Sequence, residues 1–144
     1  MKRTASLFYM IVLLSFAGCS AGDSAKAIIR VTGGDPLQGN AAVFVETEIV
    51  TSHFFLQHVD KALELSKLWK LSEDQVETKL RNSITVEAGN EPGLFVIGTK
   101  GLEHQLAVRI LNELCTFYTQ HWFGESQIGG QPQTVHVSII QRAE

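Results

Sequence analysis

The chain of 144 residues holds two cysteines, and the first, Cys19, stands directly behind an apolar run in "LLSFAGCSAG". A thiol preceded by small residues at the end of such a run is placed for acylation. Lys2 and Arg3 open the chain, no charge follows until Asp23, and the most apolar part covers residues 7–17. That stretch has the ~7–15-residue length of a secretory apolar region and falls short of the ~20 residues of a membrane-spanning helix. Phe16-Ala17-Gly18-Cys19 resembles a bacterial lipobox, with Phe16 where leucine is usual. In that motif the cysteine is diacylated on sulfur and becomes the first residue after cleavage. Two acyl chains and an amide-linked third hold a protein to a bilayer far more durably than the marginal binding of one chain. The expectation is a lipoprotein signal peptide over residues 1–18, a lipidated tether over 19–24 and a domain over 25–144. Such a protein sits on the periplasmic side of a bacterial membrane, and Ser20 in place of an aspartate after Cys19 points to the outer membrane.

The remaining residues with chemical potential form no catalytic pattern. The five histidines, His53, His58, His104, His121 and His136, include no pair at a spacing of four, and the closest two are expected on different faces of one helix. No metal site or other cofactor is predicted from them. The glycines of "GGDPLQGN" are not closed by a Lys-Ser or Lys-Thr pair, so they make no phosphate loop, and no Gly-x-Ser-x-Gly elbow occurs. Carboxylates fall on positions expected to face solvent. With Cys19 acylated, Cys115 has no intrachain partner, and its setting in "LNELCTFY" predicts a buried thiol packing as a small hydrophobe. No enzyme is expected.

Removing the first 18 of 144 residues leaves 126, one ordinary domain. Without Lys2 and Arg3 the twelve basic residues become ten against fifteen acids, a balance near −5 with no basic patch that would suit nucleic acid. Residues 25–31, "AKAIIRV", predict a first strand, stopped by Gly33-Gly34-Asp35-Pro36. Val45, Ile49, Ser52, Leu56, Val59 and Leu63 recur at steps of 4, 3, 4, 3 and 4, one face of a helix, with Glu46, Glu48, Gln57, Asp60 and Lys61 mostly off it. Ser52 puts a small residue in that stripe, where another element could approach. Ser72 followed three residues later by Gln75 is a capping box opening a short helix to about Arg81, with Val76 and Leu80 facing inward. "ITVEA", the turn "GNEPG" and "LFVIGT" predict a hairpin. A helix over about 102–122 follows, with Leu106, Ile110, Leu114 and Phe117 on one face, widened by Ala107 and Leu111. A loop, "GESQIGGQPQ", and a last strand, "TVHVSII", complete the order β-α-(α)-β-β-α-β. This is the ferredoxin-like, split βαβ order: an α+β domain with two main helices on one face of a four-stranded antiparallel sheet, plus a short extra helix.

The same residues carry a family resemblance. "FVETEIVTSHFFLQHVDKALELSKLW", "LSEDQVETKLRNSITVEAGNEPGLFVIGTKG" and "LAVRILNELCTFYTQ" resemble the periplasmic base domain of polysaccharide chain-length determinants, the polysaccharide co-polymerases. The matching features are the alternating first strand; Glu46, Glu48, Ile49 and Ser52; Phe55, Leu56 and Val59; Leu65 and Ser66; the charged helix from Glu73; the hairpin; and Ala107, Ile110 and Asn112. The resemblance covers about 115 residues. Family members also carry flanking membrane helices and a long helical arm before the last strand, in place of which this chain has a lipobox and the short Gly124 to Gln133 stretch. What the resemblance implies is a base domain alone, lipid-anchored, with no kinase-pairing segment.

Two functional expectations follow. The first is a non-enzymatic module in envelope or extracellular polysaccharide assembly or export, working by association with copies of itself or with a full-length co-polymerase, and held to the membrane by its lipid. The candidate partner surface is the outward face of the first helix at His53, Gln57 and Lys61, with Glu73 and Glu77 of the short helix. The second is a generic periplasmic ligand-binding or adaptor lipoprotein serving another envelope machine.

Overall fold

The computed structural model describes residues 23–32, 40–121, 125–128, 131–134 and 136–144. Cys19, its apolar run and the Gly33-Gly34-Asp35-Pro36 stop lie outside them. Strand β1 (Asp23–Thr32) is followed by helices α1 (Asn40–Val50), α2 (His53–Leu63), α3 (Leu65–Trp69) and α4 (Glu73–Ser83). The hairpin β2 (Ile84–Ala88) and β3 (Leu94–Lys100), helix α5 (His104–His121), and strands β4 (Glu125–Ile128), β5 (Gln131–Thr134) and β6 (His136–Gln141) complete the order. The main sheet runs β2-β3-β1-β6 with every pairing antiparallel. The fold is therefore α+β and ferredoxin-like, as the order of periodicities predicts.

Strand alternation explains how the sheet buries one face. Ala25, Ala27 and Ile29 of β1 are buried, and the register sets Ala27 beside Ile97 and Ile29 beside Phe95. These side chains join Leu56, Val59, Val76, Leu80, Ile110, Leu111 and Leu114 from the helices in one core. At the hairpin turn, Gly93 has φ +81° and its carbonyl accepts from the Val31 N–H at 2.8 Å. A Cβ there would lie 2.5 Å from the Val31 oxygen, so both the backbone angle and the close approach require glycine.

Three departures from the sequence reading have local causes. The stripe from Val45 to Leu63 is not one helix: α1 ends at Val50 and α2 begins at His53, with Ser52 extended (φ −65°, ψ 152°) as its N-cap residue. Thr47 and Thr51 donate their hydroxyls to carbonyls four residues back, an arrangement that competes with regular helix bonding and bends it. Consequently Val45 is exposed, whereas Glu46 and Asp60, expected off the apolar face, are buried. Helix α3 is a further short element, bounded by Glu64 and Lys70, both left-handed. Finally, the stretch read as a loop contains β4 and β5, paired with each other as a separate two-stranded sheet.

Candidate partner surface and polar cleft

The capping box that starts α4 forms as expected: the Ser72 hydroxyl accepts from the Gln75 backbone N–H at 3.3 Å, and the Gln75 side-chain Oε1 accepts from the Ser72 N–H at 3.0 Å. This fixes where α4 begins and thus which of its residues meet α2. His53 Nδ1 lies 2.6 Å from Glu77 Oε2, and Arg81 donates from Nη2 to Glu77 Oε1 at 2.6 Å. Arg81 also donates to the Thr51 carbonyl at 3.3 and 3.4 Å, satisfying an acceptor at the break between α1 and α2 where a cation is favoured. The hydrogen bond with His53, aided by the nearby Arg81 charge, holds the Glu77 carboxyl below its ordinary value.

The structure brings four of the five sequence-predicted surface residues together. His53, Gln57, Glu73 and Glu77 line one small cavity of about 10 Å³ with Leu56 and the buried Asp60, room for about one water. Lys61 is exposed in the last turn of α2 but does not line the cavity. Glu77 is thus a structural member of the seam, held on both sides. His53, Lys61 and Glu73 are exposed, while Gln57 is half-buried.

Sequence reasoning missed the residues whose partners are distant. Asp60 accepts from the Ser66 N–H at 2.7 Å and from the Ser66 hydroxyl at 2.6 Å, closing the turn over Glu64. Glu46 accepts from the hydroxyl of the fully buried Tyr118. Burial raises the Glu46 carboxyl, and the Tyr118 bond partly offsets this. The tyrosine proton is itself held tightly, by burial first and by the Glu46 charge second. His58 stacks on Phe117 at 3.8 Å between ring centroids, and its Nε2 lies 2.8 Å from Glu113 Oε1. Phe54, exposed, lies against Phe117 at 5.1 Å. Burial pushes the Cys115 thiol up to about 12, a value that suppresses the nucleophilic thiolate.

A second concavity was not predicted at all. A wide-open cleft of about 730 Å³ runs along α4, lined by Asp74, Gln75, Thr78, Lys79, Asn82 and Ser83, and is completed by Lys100, the last residue of β3, and by Gly101. Lys79 Nζ sits 4.1 Å over the Trp69 ring. Among the described residues no cluster of three or more His, Cys, Asp or Glu could hold a metal, and no helix is long and apolar enough to cross a membrane. No protein-family model matches the chain, and no curated protein matches it.

Proposed function

We propose that this protein is a non-enzymatic, lipid-anchored periplasmic module that takes part in envelope polysaccharide assembly or export by associating with other proteins, as its resemblance to the co-polymerase base domain implies. The observation that carries the reading is the α2–α4 seam, where residues chosen from sequence as a partner surface, His53, Gln57, Glu73 and Glu77, converge on a single feature. A small fold with a polar, two-helix face suits association better than chemistry. Tethering by Cys19 would raise the effective concentration of partners on the same bilayer, so that a weak interface suffices.

The test is a deletion strain complemented with variants of the exposed residues. Deletion should change the amount or size distribution of a surface polysaccharide. Charge reversal at Lys61 and Glu73 together should reproduce part of that change while the domain stays folded, since both side chains are exposed and neither holds the seam. Crosslinking in membranes should capture a second copy or a co-polymerase with the wild type and less of it with the variant. Unchanged polysaccharide under conditions of expression would overturn the reading in favour of a generic binding or adaptor lipoprotein.

A further inference from the structure

We infer that the cleft along α4 is a binding site for the headgroup of an anionic phospholipid, which docks the domain against the bilayer that holds its tether. The inference rests on the lipid-anchored reading above, because it uses the position of Cys19 in the chain.

Covalent reach comes first. Three residues, Ser20, Ala21 and Gly22, separate Cys19 from Asp23, the start of β1, and the four residue steps between them span at most ~14 Å at ~3.3–3.6 Å each. An acylated Cys19 therefore keeps the beginning of β1 close to the headgroup layer. The sheet register then decides what else lies at that end. Asp23 pairs with Lys100, Ala25 with Thr99, and Thr99 in turn with Ile84, the first residue of β2. Paired residues on neighbouring antiparallel strands are about 5 Å apart. Lys100 and Gly101 are thus one strand away from the tether, and the end of α4, Asn82 and Ser83, two strands away. Ser24 pins the start of α5 to the same end: its hydroxyl accepts from the Leu102 N–H at 3.1 Å, and its carbonyl lies 2.7 Å from His104 Nδ1. Lys100, Gly101 and the last turn of α4 therefore lie at the end of the sheet where β1 begins.

The lining chemistry selects the ligand. In a chain with an overall charge of −3, this cleft carries two ammonium groups, Lys79 and Lys100, against one carboxylate, Asp74. The local balance is positive on an acidic protein. Several of the other polar lining groups are committed locally: Gln75 to the capping box, Thr78 to the Asp74 carbonyl and Ser83 to the Lys79 carbonyl. The two lysines supply point charges for a phosphate, and Asn82 adds an amide. Asp74, at the other end of the groove, suits the hydroxyls of a phosphoglycerol headgroup. A phosphoglycerol headgroup uses both the lysines and Asp74, whereas an isolated phosphate engages the lysines alone.

Trp69 reports on the site because Lys79 lies over its ring. Trp122→Phe leaves it the sole tryptophan. The full lipoprotein, purified from membranes, checked for acylation by mass and reconstituted, should show a change in Trp69 emission in phosphatidylglycerol-containing vesicles relative to pure phosphatidylcholine. That change should shrink as ionic strength rises. Lys100→Gln, which leaves the Trp69 contact intact, should lose at least half of it, and Lys79→Gln with Lys100→Gln all of it. Acylated protein with identical emission in both vesicle types overturns the headgroup site and leaves the tether standing. Protein without acyl chains overturns the tether and the orientation derived from it. The same emission change produced by inorganic phosphate alone overturns the headgroup in favour of a free-phosphate site. A change produced by a soluble acidic polysaccharide, and not by phosphatidylglycerol, overturns it in favour of a polymer site.

Discussion

Tyr118 donates its hydroxyl to the Glu46 carboxylate, joining α1 to α5 across 72 residues of sequence in a place where Glu46 is 7% exposed and Tyr118 not at all. Burial puts the folded pKa of Glu46 above its unfolded value. A carboxyl shifted in that direction contributes stability that is complete below the unfolded pKa and is lost as pH rises through the folded one. Glu46→Gln keeps an acceptor for Tyr118 and removes the charge. It should stabilise the domain by about 1 kcal/mol at neutral pH and by nothing at a pH below the ordinary carboxylate range. Tyr118→Phe leaves the carboxylate buried without its donor and should cost about 1.5–3 kcal/mol at neutral pH. Denaturant melts across the acidic-to-neutral range check both, and a pH-independent Glu46→Gln difference would contradict the assigned cause.

The α2–α4 seam has the opposite pH dependence. Glu77 is held below its ordinary value by His53 and Arg81, so its contribution is present above the unfolded carboxylate pKa and is lost as pH falls through the depressed folded value. Glu77→Gln should cost up to about 1 kcal/mol at neutral pH, because its partner His53 is largely exposed. It should also abolish the acid-side loss of protection in the α4 amides, read by hydrogen exchange. An acid-side loss of equal size in the variant would place the titrating group elsewhere.

How far the sequence revealed these features depends on how far apart the partners lie. The Ser72–Gln75 box was legible because both partners fall within one turn, and the main strands because alternation repeats every two residues. The break between α1 and α2 was hidden by a stripe that keeps helical spacing straight through it. Its one local signal was Ser52, an N-cap residue type read instead as a gap in an apolar face. The β4–β5 pairing was marked by Gly129-Gly130, which separate Ile128 from Gln131 and match a two-residue hairpin connection. Glu46 and Asp60 gave no such signal: periodicity can say which residues leave the apolar stripe, but not that a remote tyrosine or a following serine will receive them. The seam residues were found because α2 and α4 both expose polar faces. The cleft was missed because Lys100 comes from a different element, and only the sheet register brings it beside α4.

Two non-glycine residues in left-handed geometry, Glu64 and Lys70, bracket α3, and relieving that geometry should act in the opposite direction to removing the aspartate beside it. Lys70 ends α3 at φ 55°, where glycine avoids the Cβ clash, so Lys70→Gly should stabilise by about 0.5–1 kcal/mol. Asp60→Ala removes both bonds to Ser66 and leaves the first turn of α3 uncapped, at a cost of about 1–3 kcal/mol. Thermal melts of the two single variants and the double decide the matter. A destabilising Lys70→Gly would mean that the lysine side chain stabilises the end of α3 by more than its left-handed backbone costs.

The chain's two cysteines give a count that tests the tether without any functional assay. Cys115 is buried in the core on α5, and burial pushes its thiol up to about 12, so at neutral pH it is both inaccessible and protonated. Reaction with a thiol reagent therefore has to wait for the fold to open, and its rate should follow global unfolding across a denaturant titration. Cys19, if diacylated, offers no thiol in any state. The mature protein should accordingly give no rapid labelling when native and one label per chain, on Cys115, when denatured. Cys115→Ala should then give none under either condition, at a modest loss of stability from the small cavity created. Two labels per denatured chain would remove the lipid from Cys19, and with it the membrane-bound geometry on which both the partner surface and the cleft depend. Rapid labelling of the native protein at Cys115 would instead show that the α5 side of the core opens far more readily than its burial implies.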